Sequence, residues 1–177
     1  MTSRTLIACL IALALLAAGC GGDDSEQAAA PKPPEETPAA TPTPEAEPAE
    51  ISKNLDEKPE IAKPSGDPPS KLEIDDIVKG KGKAAKSGDD VTVQYVGVSF
   101  TTGEQFDASW DAGQPFPVEL GAGSVIPGWE QGLVGIRAGG RRKLTIPPEL
   151  GYGPDGYPPD IPPNETLVFV IDAISVN

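Results

Sequence analysis

The sequence of 177 residues contains no histidine and only two cysteines, Cys9 and Cys20, which both lie within the first 20 residues. The absence of histidine excludes Ser-His-Asp and Cys-His catalytic systems and zinc sites that use imidazole. The position of the cysteines excludes a disulfide, a four-cysteine zinc site or an iron–sulfur cluster downstream of Cys20. The chemistry that remains uses carboxylates, hydroxyl groups, backbone groups and the shape of a pocket, so no metal and no cofactor is expected.

Basic residues are also scarce, and the net charge is −13. Residues 20–70 carry −8 of this charge and residues 71–177 carry −6. Nucleic acids are bound mainly by lysine and arginine side chains that neutralise phosphates. We therefore expect no nucleic-acid partner.

The N-terminus has the pattern of a targeting signal. Arg4 precedes an uncharged apolar run over residues 6–18, which is too short to span a bilayer but has the length of a secretory signal. The run ends in Leu-Ala-Ala-Gly-Cys20, which resembles the signal of a bacterial lipoprotein. We expect residues 1–19 to be a signal peptide, Cys20 to be lipidated, and the protein to be extracytoplasmic and anchored to the membrane. An ordinary secretory signal, which would release the protein, is the alternative.

The next segment is rich in proline, alanine and glutamate. Eleven of the 21 prolines lie between Pro31 and Pro69, with few bulky apolar residues among them. Such a composition buries too little surface to offset the entropy of ordering the chain. Residues 20–70 are therefore predicted to form a disordered, extended tether, with a proline-rich ligand for a partner groove as the alternative. Residues 71–177 are predicted to form the folded domain.

Hydrophobic alternation in this domain predicts antiparallel β-structure. Strands are predicted over Leu72–Val78, Arg141–Ile146 and Leu167–Val176, and a further strand around Val93. At Gly97 the apolar positions change from odd to even numbers, which predicts a bulge or sharp bend. The strand from Leu167 is apolar on both faces, as expected of a central strand.

One helix is predicted, from Pro127 to Ile136, with Trp129, Leu133 and Ile136 on one side. Its glycines give it a low intrinsic helix propensity, so it must be held by packing against the sheet. The segment 147–163, which has seven prolines and three glycines, is predicted to be an ordered loop that carries function.

Seven sequence blocks resemble FK506-binding-type peptidyl-prolyl isomerases in order and spacing, and they cover essentially all of residues 71–177. The blocks are Val93–Gly97 (VQYVG), Glu104–Ser109 (EQFDAS), Gly113–Phe116 (GQPF), Val125–Gly132 (VIPGWEQG), Gly140–Pro148 (GRRKLTIPP), Gly151–Gly153 (GYG) and Ile161–Phe169 (IPPNETLVF). The resemblance implies an α+β fold in which a bent antiparallel sheet of five or six strands wraps around one short helix. It also implies an isomerase that makes and breaks no covalent bond, which agrees with the missing histidines.

The family pattern implies two sets of site residues. The catalytic set is Tyr95, Phe106, Asp107, Trp129, Tyr152 and Phe169, and the substrate-binding set is Phe116, Val125, Ile126 and Ile161. Trp129 would form the floor for the proline ring, while the backbone amide of Ile126 and the hydroxyl of Tyr152 would bind carbonyl groups. The chain departs from the pattern at Gln94, Ala112 and Asp160, where relatives often have histidine, arginine and an apolar residue.

The resulting hypothesis is a membrane-tethered isomerase that acts on X-Pro bonds of exported, unfolded polypeptides, with macrolides as possible ligands. The alternative is a binding module of the same fold that catalyses weakly and serves as a chaperone or scaffold for proline-containing segments.

Overall fold

A computed structural model of the protein describes residues 50–177. The expected signal peptide, Cys20 and residues 20–49 of the predicted tether lie outside the described residues. Within residues 50–177 no helix has both the length and the apolar character needed to cross a membrane.

The domain is built on one six-stranded antiparallel sheet, as the sequence predicts. The strands are β1 (Glu73–Val78), β2 (Asp90–Ser99), β3 (Gln105–Ala108), β4 (Phe116–Glu119), β5 (Gly140–Ile146) and β6 (Leu167–Val176). Five of them follow the order β1-β5-β6-β2-β3, and β4 pairs with the N-terminal part of β2. Strand β6 therefore lies in the middle of the sheet, between β5 and β2.

The helices are short. Helix α1 spans Ser109–Ala112, helix α2 spans Pro127–Gly132, and one 3₁₀ turn spans Pro148–Leu150. Helix α2 begins with proline in its first turn, as predicted, but it is four residues shorter than the predicted Pro127–Ile136. Leu133 and Ile136 still lie in the core, so packing has fixed their side chains without a continuing helix.

The inner face of the sheet packs against α2. A side chain at Gly128 would clash with Ile146, and one at Gly132 would clash with Leu144, so both glycines allow the helix to approach β5 closely. The main core lies at this interface. It includes Val91, Val93, Trp129, Leu133, Ile136, Leu144, Ile146, Phe169 and Ile171.

The predicted bulge lies in β3 and not in β2. Strand β2 keeps its register with β6 without interruption from Val93 to Ser99, so its side chains alternate normally through Gly97. In the β2–β3 pair, Gly97 pairs with Asp107 and Val98 pairs with Gln105, which leaves Phe106 as the extra residue. The change of apolar phase at Gly97 has another cause, because Val96 and Val98 point to an outer face that is also buried.

Residues 51–63, here called the strap, cover part of that outer face. Ile61 packs against a cluster formed by Val96, Val98, Ala108 and Val168, and Pro59 is buried. The backbone of the strap is also bonded to the domain. The strap thus makes defined contacts, in contrast to the disordered tether that the sequence predicts over residues 20–70. The average composition of residues 20–70 hides a few well-placed apolar side chains.

Candidate active site

A cavity of about 390 Å³ opens on the inner face, between the sheet, helix α2 and the loop that precedes it. It brings together all six predicted catalytic residues and three of the four predicted substrate-binding residues. Its lining consists of Tyr95, Phe106, Asp107, Phe116, Gly123, Ser124, Val125, Ile126, Trp129, Tyr152 and Phe169. Gly123 and Ser124 were not predicted.

Edge-to-face aromatic contacts build the walls around Trp129. The ring of Trp129 lies 5.0 Å from Tyr95 and 5.2 Å from Phe169, with interplanar angles of 84° and 87°. Phe106 meets Phe169 at 5.4 Å and 88°. This geometry is the favourable one for aromatic pairs, and it fixes each ring by its neighbours. Trp129 is only 4% exposed, so it forms a rigid apolar floor.

The pair Tyr95 and Asp107 supplies the polar edge of the cavity. The Tyr95 hydroxyl donates to Asp107 Oδ2 at 2.6 Å. Burial, and next the bond to Asp107, raise the pKa of Tyr95 above its ordinary value of 10.0. The position where relatives often have arginine is Ala112, and it borders a neighbouring cleft beside Asp107. Because alanine has no side-chain donor, the hydrogen bond that Asp107 accepts here comes from the hydroxyl of Tyr95.

Ser109 holds the backbone of Tyr95, a role that the sequence analysis missed. Its Oγ accepts from the Tyr95 amide at 2.8 Å and donates to Gln94 Oε1. Ser109 is buried at the start of α1, directly after β3. Serine at a helix start is common enough that its sequence position gave no signal of this contact.

Besides the buried Nε1 of Trp129, two donors of residues that line the cavity have no partner among the described residues. They are the backbone amide of Ile126 and the hydroxyl of Tyr152, and neither takes part in a hydrogen bond within residues 50–177. Burial, and next the charge of Asp107, raise the pKa of Tyr152, so its hydroxyl stays protonated. Both groups can donate to a carbonyl oxygen of a bound ligand.

Glu130 ties the loop before α2 to the helix itself. Its carboxylate accepts from the amides of Gly121 at 2.5 Å and Gly123 at 2.9 Å. Both glycines have positive φ angles, of 92° and 68°, which side chains rarely adopt. The loop that carries Val125 and Ile126 is thereby fixed against the helix that carries Trp129. The sequence analysis also missed this residue.

Ile161 does not line the cavity, in contrast to the prediction. Its backbone pairs with that of Tyr157 in both directions, at 2.8 Å and 2.9 Å, and its side chain is 3% exposed within the core. Tyr157 instead lies at the surface, and its ring is 5.6 Å from that of Tyr152. Among residues 50–177 no group of three or more potential metal-ligating side chains converges.

Comparisons with known proteins agree with this geometry. Residues 81–174 match the family model described as FKBP-type peptidyl-prolyl cis-trans isomerase. The chain is 53% identical over 121 residues to an FK506-binding protein of Streptomyces anulatus, covering 68% of this chain and 98% of that protein. It is 50% identical over 119 residues to a probable FK506-binding protein of Corynebacterium glutamicum, covering 67% and 98% of the two chains.

Solved structures show the same fold. The crystal structure of AtFKBP13 superposes with a TM-score of 0.57 at 38% identity, over 62% of this chain and 95% of that chain. The crystal structure of FkpA from Escherichia coli superposes with a TM-score of 0.55 at 44% identity, over 60% of this chain and 48% of that chain. With a six-stranded sheet, a cavity walled by the expected aromatic residues and these matches, the chain belongs to the family of FKBP-type peptidyl-prolyl cis-trans isomerases.

Proposed function

We propose that this isomerase turns X-Pro bonds of exported polypeptides within the aromatic cavity, while an N-terminal lipid holds it at the membrane. The single observation that carries the catalytic part is the cavity itself, with its Trp129 floor and two unpartnered donors. The export and tethering part rests on the sequence of residues 1–49 alone.

The reaction needs a pocket more than it needs reactive groups. Rotation about a peptide bond has a barrier of about 18–20 kcal/mol, because amide resonance is lost in the twisted state. The twisted amide carries less charge separation than the planar one. An apolar cavity therefore disfavours the planar ground state relative to the twisted state, which lowers the barrier.

The donors would hold the substrate while the bond turns. With the proline ring on Trp129, the Ile126 amide and the Tyr152 hydroxyl would each bind a carbonyl oxygen on one side of the rotating bond. When the carbonyl groups on one side of the X-Pro bond are fixed, the binding energy can favour the twisted geometry about that bond. Asp107 would stay hydrogen-bonded to the hydroxyl of Tyr95 and hold its ring edge-to-face against Trp129.

Isomerisation of a proline tetrapeptide by the purified full chain tests this assignment. Tyr152→Phe removes the hydroxyl and should lower kcat/KM about tenfold, the loss typical of one hydrogen bond in a site. Tyr157→Phe is the matched control, since its ring neighbours Tyr152 outside the cavity, and it should leave kcat/KM unchanged. A folded Tyr152→Phe variant with full activity would refute the role of this hydroxyl.

A mass spectrum of the mature N-terminus tests the tether. The proposal expects cleavage before Cys20 and a mass increase that corresponds to acyl chains on this cysteine. Unmodified Cys20, or cleavage at another position, would contradict the anchor and favour a secreted protein. The isomerase assignment does not depend on this result.

A binding function for unfolded or macrolide ligands is the second candidate. Three exposed aromatic residues support it, because Phe116, Tyr152 and Tyr157 are 41%, 38% and 61% exposed around the cavity mouth. The relatives from Streptomyces and Corynebacterium carry FK506-binding names. Suppression of aggregation that persists in a Phe106→Ala variant without isomerase activity would favour this function over catalysis.

A further inference from the structure

The strap lies behind the wall of the cavity, on the opposite face of the sheet. Its Ile61 packs against the apolar cluster to which β2 contributes Val96, β3 contributes Ala108 and β6 contributes Val168. On the other face of the same strands, Tyr95, Phe106 and Phe169 line the cavity. Each wall strand thus has a cavity residue on one side and, on the other, a residue of the cluster against which Ile61 packs.

Strand β3 is the wall element that most needs support. It is an edge strand of four residues, and its pairing with β2 is interrupted by the bulge at Phe106. The bulge brings Phe106 and Asp107 to the same side, toward the cavity. A short edge strand with a broken ladder has few hydrogen bonds of its own to fix it.

A polar contact of the strap reaches a carboxylate that is itself bonded to β3. Lys58 Nζ is 2.6 Å from Asp111 Oδ1, and Asp111 Oδ2 accepts from Gln105 Nε2 at 2.7 Å. Gln105 precedes the bulge and Asp111 follows it in α1. Asp111 therefore ties the first residue of β3 to α1, and Lys58 links the strap to this carboxylate.

The other end of the strap is fixed to a buried arginine. Arg141 is 0% exposed and forms two hydrogen bonds with the carboxylate of Asp172, at 2.5 Å and 2.7 Å. Its remaining donors reach the carbonyl oxygens of Ser52 at 2.5 Å and Glu57 at 3.0 Å. Because a buried guanidinium needs partners for all its donors, the strap is a structural part of the domain.

We infer that the strap is a positioning element of the isomerase, which holds the β3 bulge and thereby places Phe106 and Asp107 in the cavity. The family model covers residues 81–174 and does not include the strap. The alignments with the two bacterial relatives are longer than the segment from Lys71 to Asn177, so they extend into residues before Lys71. The inference rests on the proposed role of Phe106 and Asp107 in the cavity.

Substitutions in the full chain test the inference. Ile61→Asp places a carboxylate in the apolar cluster and should release the strap, and we expect kcat/KM for a proline tetrapeptide to fall about tenfold, since small displacements of positioning groups have large rate effects. Lys58→Ala should lower it about twofold to threefold, because the ion pair is exposed, and Lys58→Arg should restore it. Lys53→Ala is the matched control, since Lys53 lies in the strap without a described ion pair, and it should not change kcat/KM.

Amide exchange separates positioning from simple stability. In folded Ile61→Asp protein the amides of Gln105 to Ala108 should exchange faster, while those of β5 keep their protection. If strap amides exchange freely and kcat/KM stays within about twofold of the wild type, the inference is wrong. If Ile61→Asp unfolds the chain, the double variant Lys58→Ala, Ile61→Ala replaces it. Its amide exchange and its kcat/KM are then compared with those of the wild type in the same way. Phe106→Ala with full activity would instead refute the role of the cavity residue, whatever the strap does.

Discussion

Replacement of Gly97 by alanine should distort the cavity from within the sheet. A Cβ atom at this position would lie 2.7 Å from Cε1 of Phe169 and 2.8 Å from Cζ of Phe106. Ordinary contacts between carbon atoms are about 3.5–4.0 Å. Each ring must therefore retreat by roughly 0.7 Å or more.

The two rings differ in their freedom to move. Phe169 is 4% exposed and is fixed by Trp129 at 5.2 Å, whereas Phe106 is half-buried and can swing outward. Overpacking of this kind costs about 1–3 kcal/mol of stability. Because Phe106 lines the cavity, we expect kcat/KM of the folded variant to fall about tenfold, equivalent to about 1.4 kcal/mol in the activation free energy.

The assay combines urea unfolding with isomerisation of a proline tetrapeptide under conditions where the variant is fully folded. Gly82→Ala is the control, because its Cβ would lie 2.7 Å from Cβ of Ala138, outside helix α2 and outside the cavity lining. It should change stability and leave the kcat/KM of the folded protein intact. A folded Gly97→Ala variant with wild-type kcat/KM would refute the requirement for glycine beside the rings of Phe106 and Phe169.

Three further predictions follow from other contacts. Glu130→Ala removes both bonds to the loop before α2 and should raise KM several-fold with accelerated exchange of the loop amides, whereas Gln131→Ala, on the exposed neighbour, should change neither; equal behaviour of the two variants would count against the role of Glu130. Because burial and the bond to Asp107 raise the pKa of Tyr95 above 10.0, its hydroxyl keeps its proton at neutral and mildly alkaline pH, so kcat/KM should be flat from about pH 6 to pH 9. An inflection in that range would show that another group controls the rate. Arg141→Ala leaves the buried carboxylate of Asp172 without its partner and should lower the free energy of unfolding by about 3–5 kcal/mol in a urea titration, and a loss below about 1 kcal/mol would contradict the structural role of the strap anchor.

The sequence predicts the fold and most of the cavity because both depend on local and repetitive signals. A run that is apolar on both faces indicates β6 with its observed bounds, and a proline marks the start of α2. The aromatic cavity residues fall in blocks that resemble the family, which is why nine of ten predicted side chains meet in one place. The exception is Ile161, whose side-chain direction is set by the backbone pairing with Tyr157, and no local pattern encodes that pairing.

The remaining features depend on contacts between distant segments. Apolar residues on both faces of β2 and β6 were a signal that something covers the outer face, but they do not say which segment does so. The strap was hidden by the proline-rich composition around it. The sequence analysis placed the bulge at Gly97 and not at Phe106. It assumed that the outer face is exposed to solvent, and on that assumption the apolar Val96 and Val98 indicate a break in the alternation of β2.

The place of β6 in the sheet has a consequence for how the chain acquires its structure. Strand β6 joins β5 to β2, yet it comes after every other described strand in the sequence. During synthesis the earlier strands emerge before the strand that links them. The pair β1–β5 and the group β2–β3–β4 therefore remain separate until β6 is available. The cavity can form only after the ten residues of β6 have been made. The sheet of this isomerase therefore completes late and as one unit.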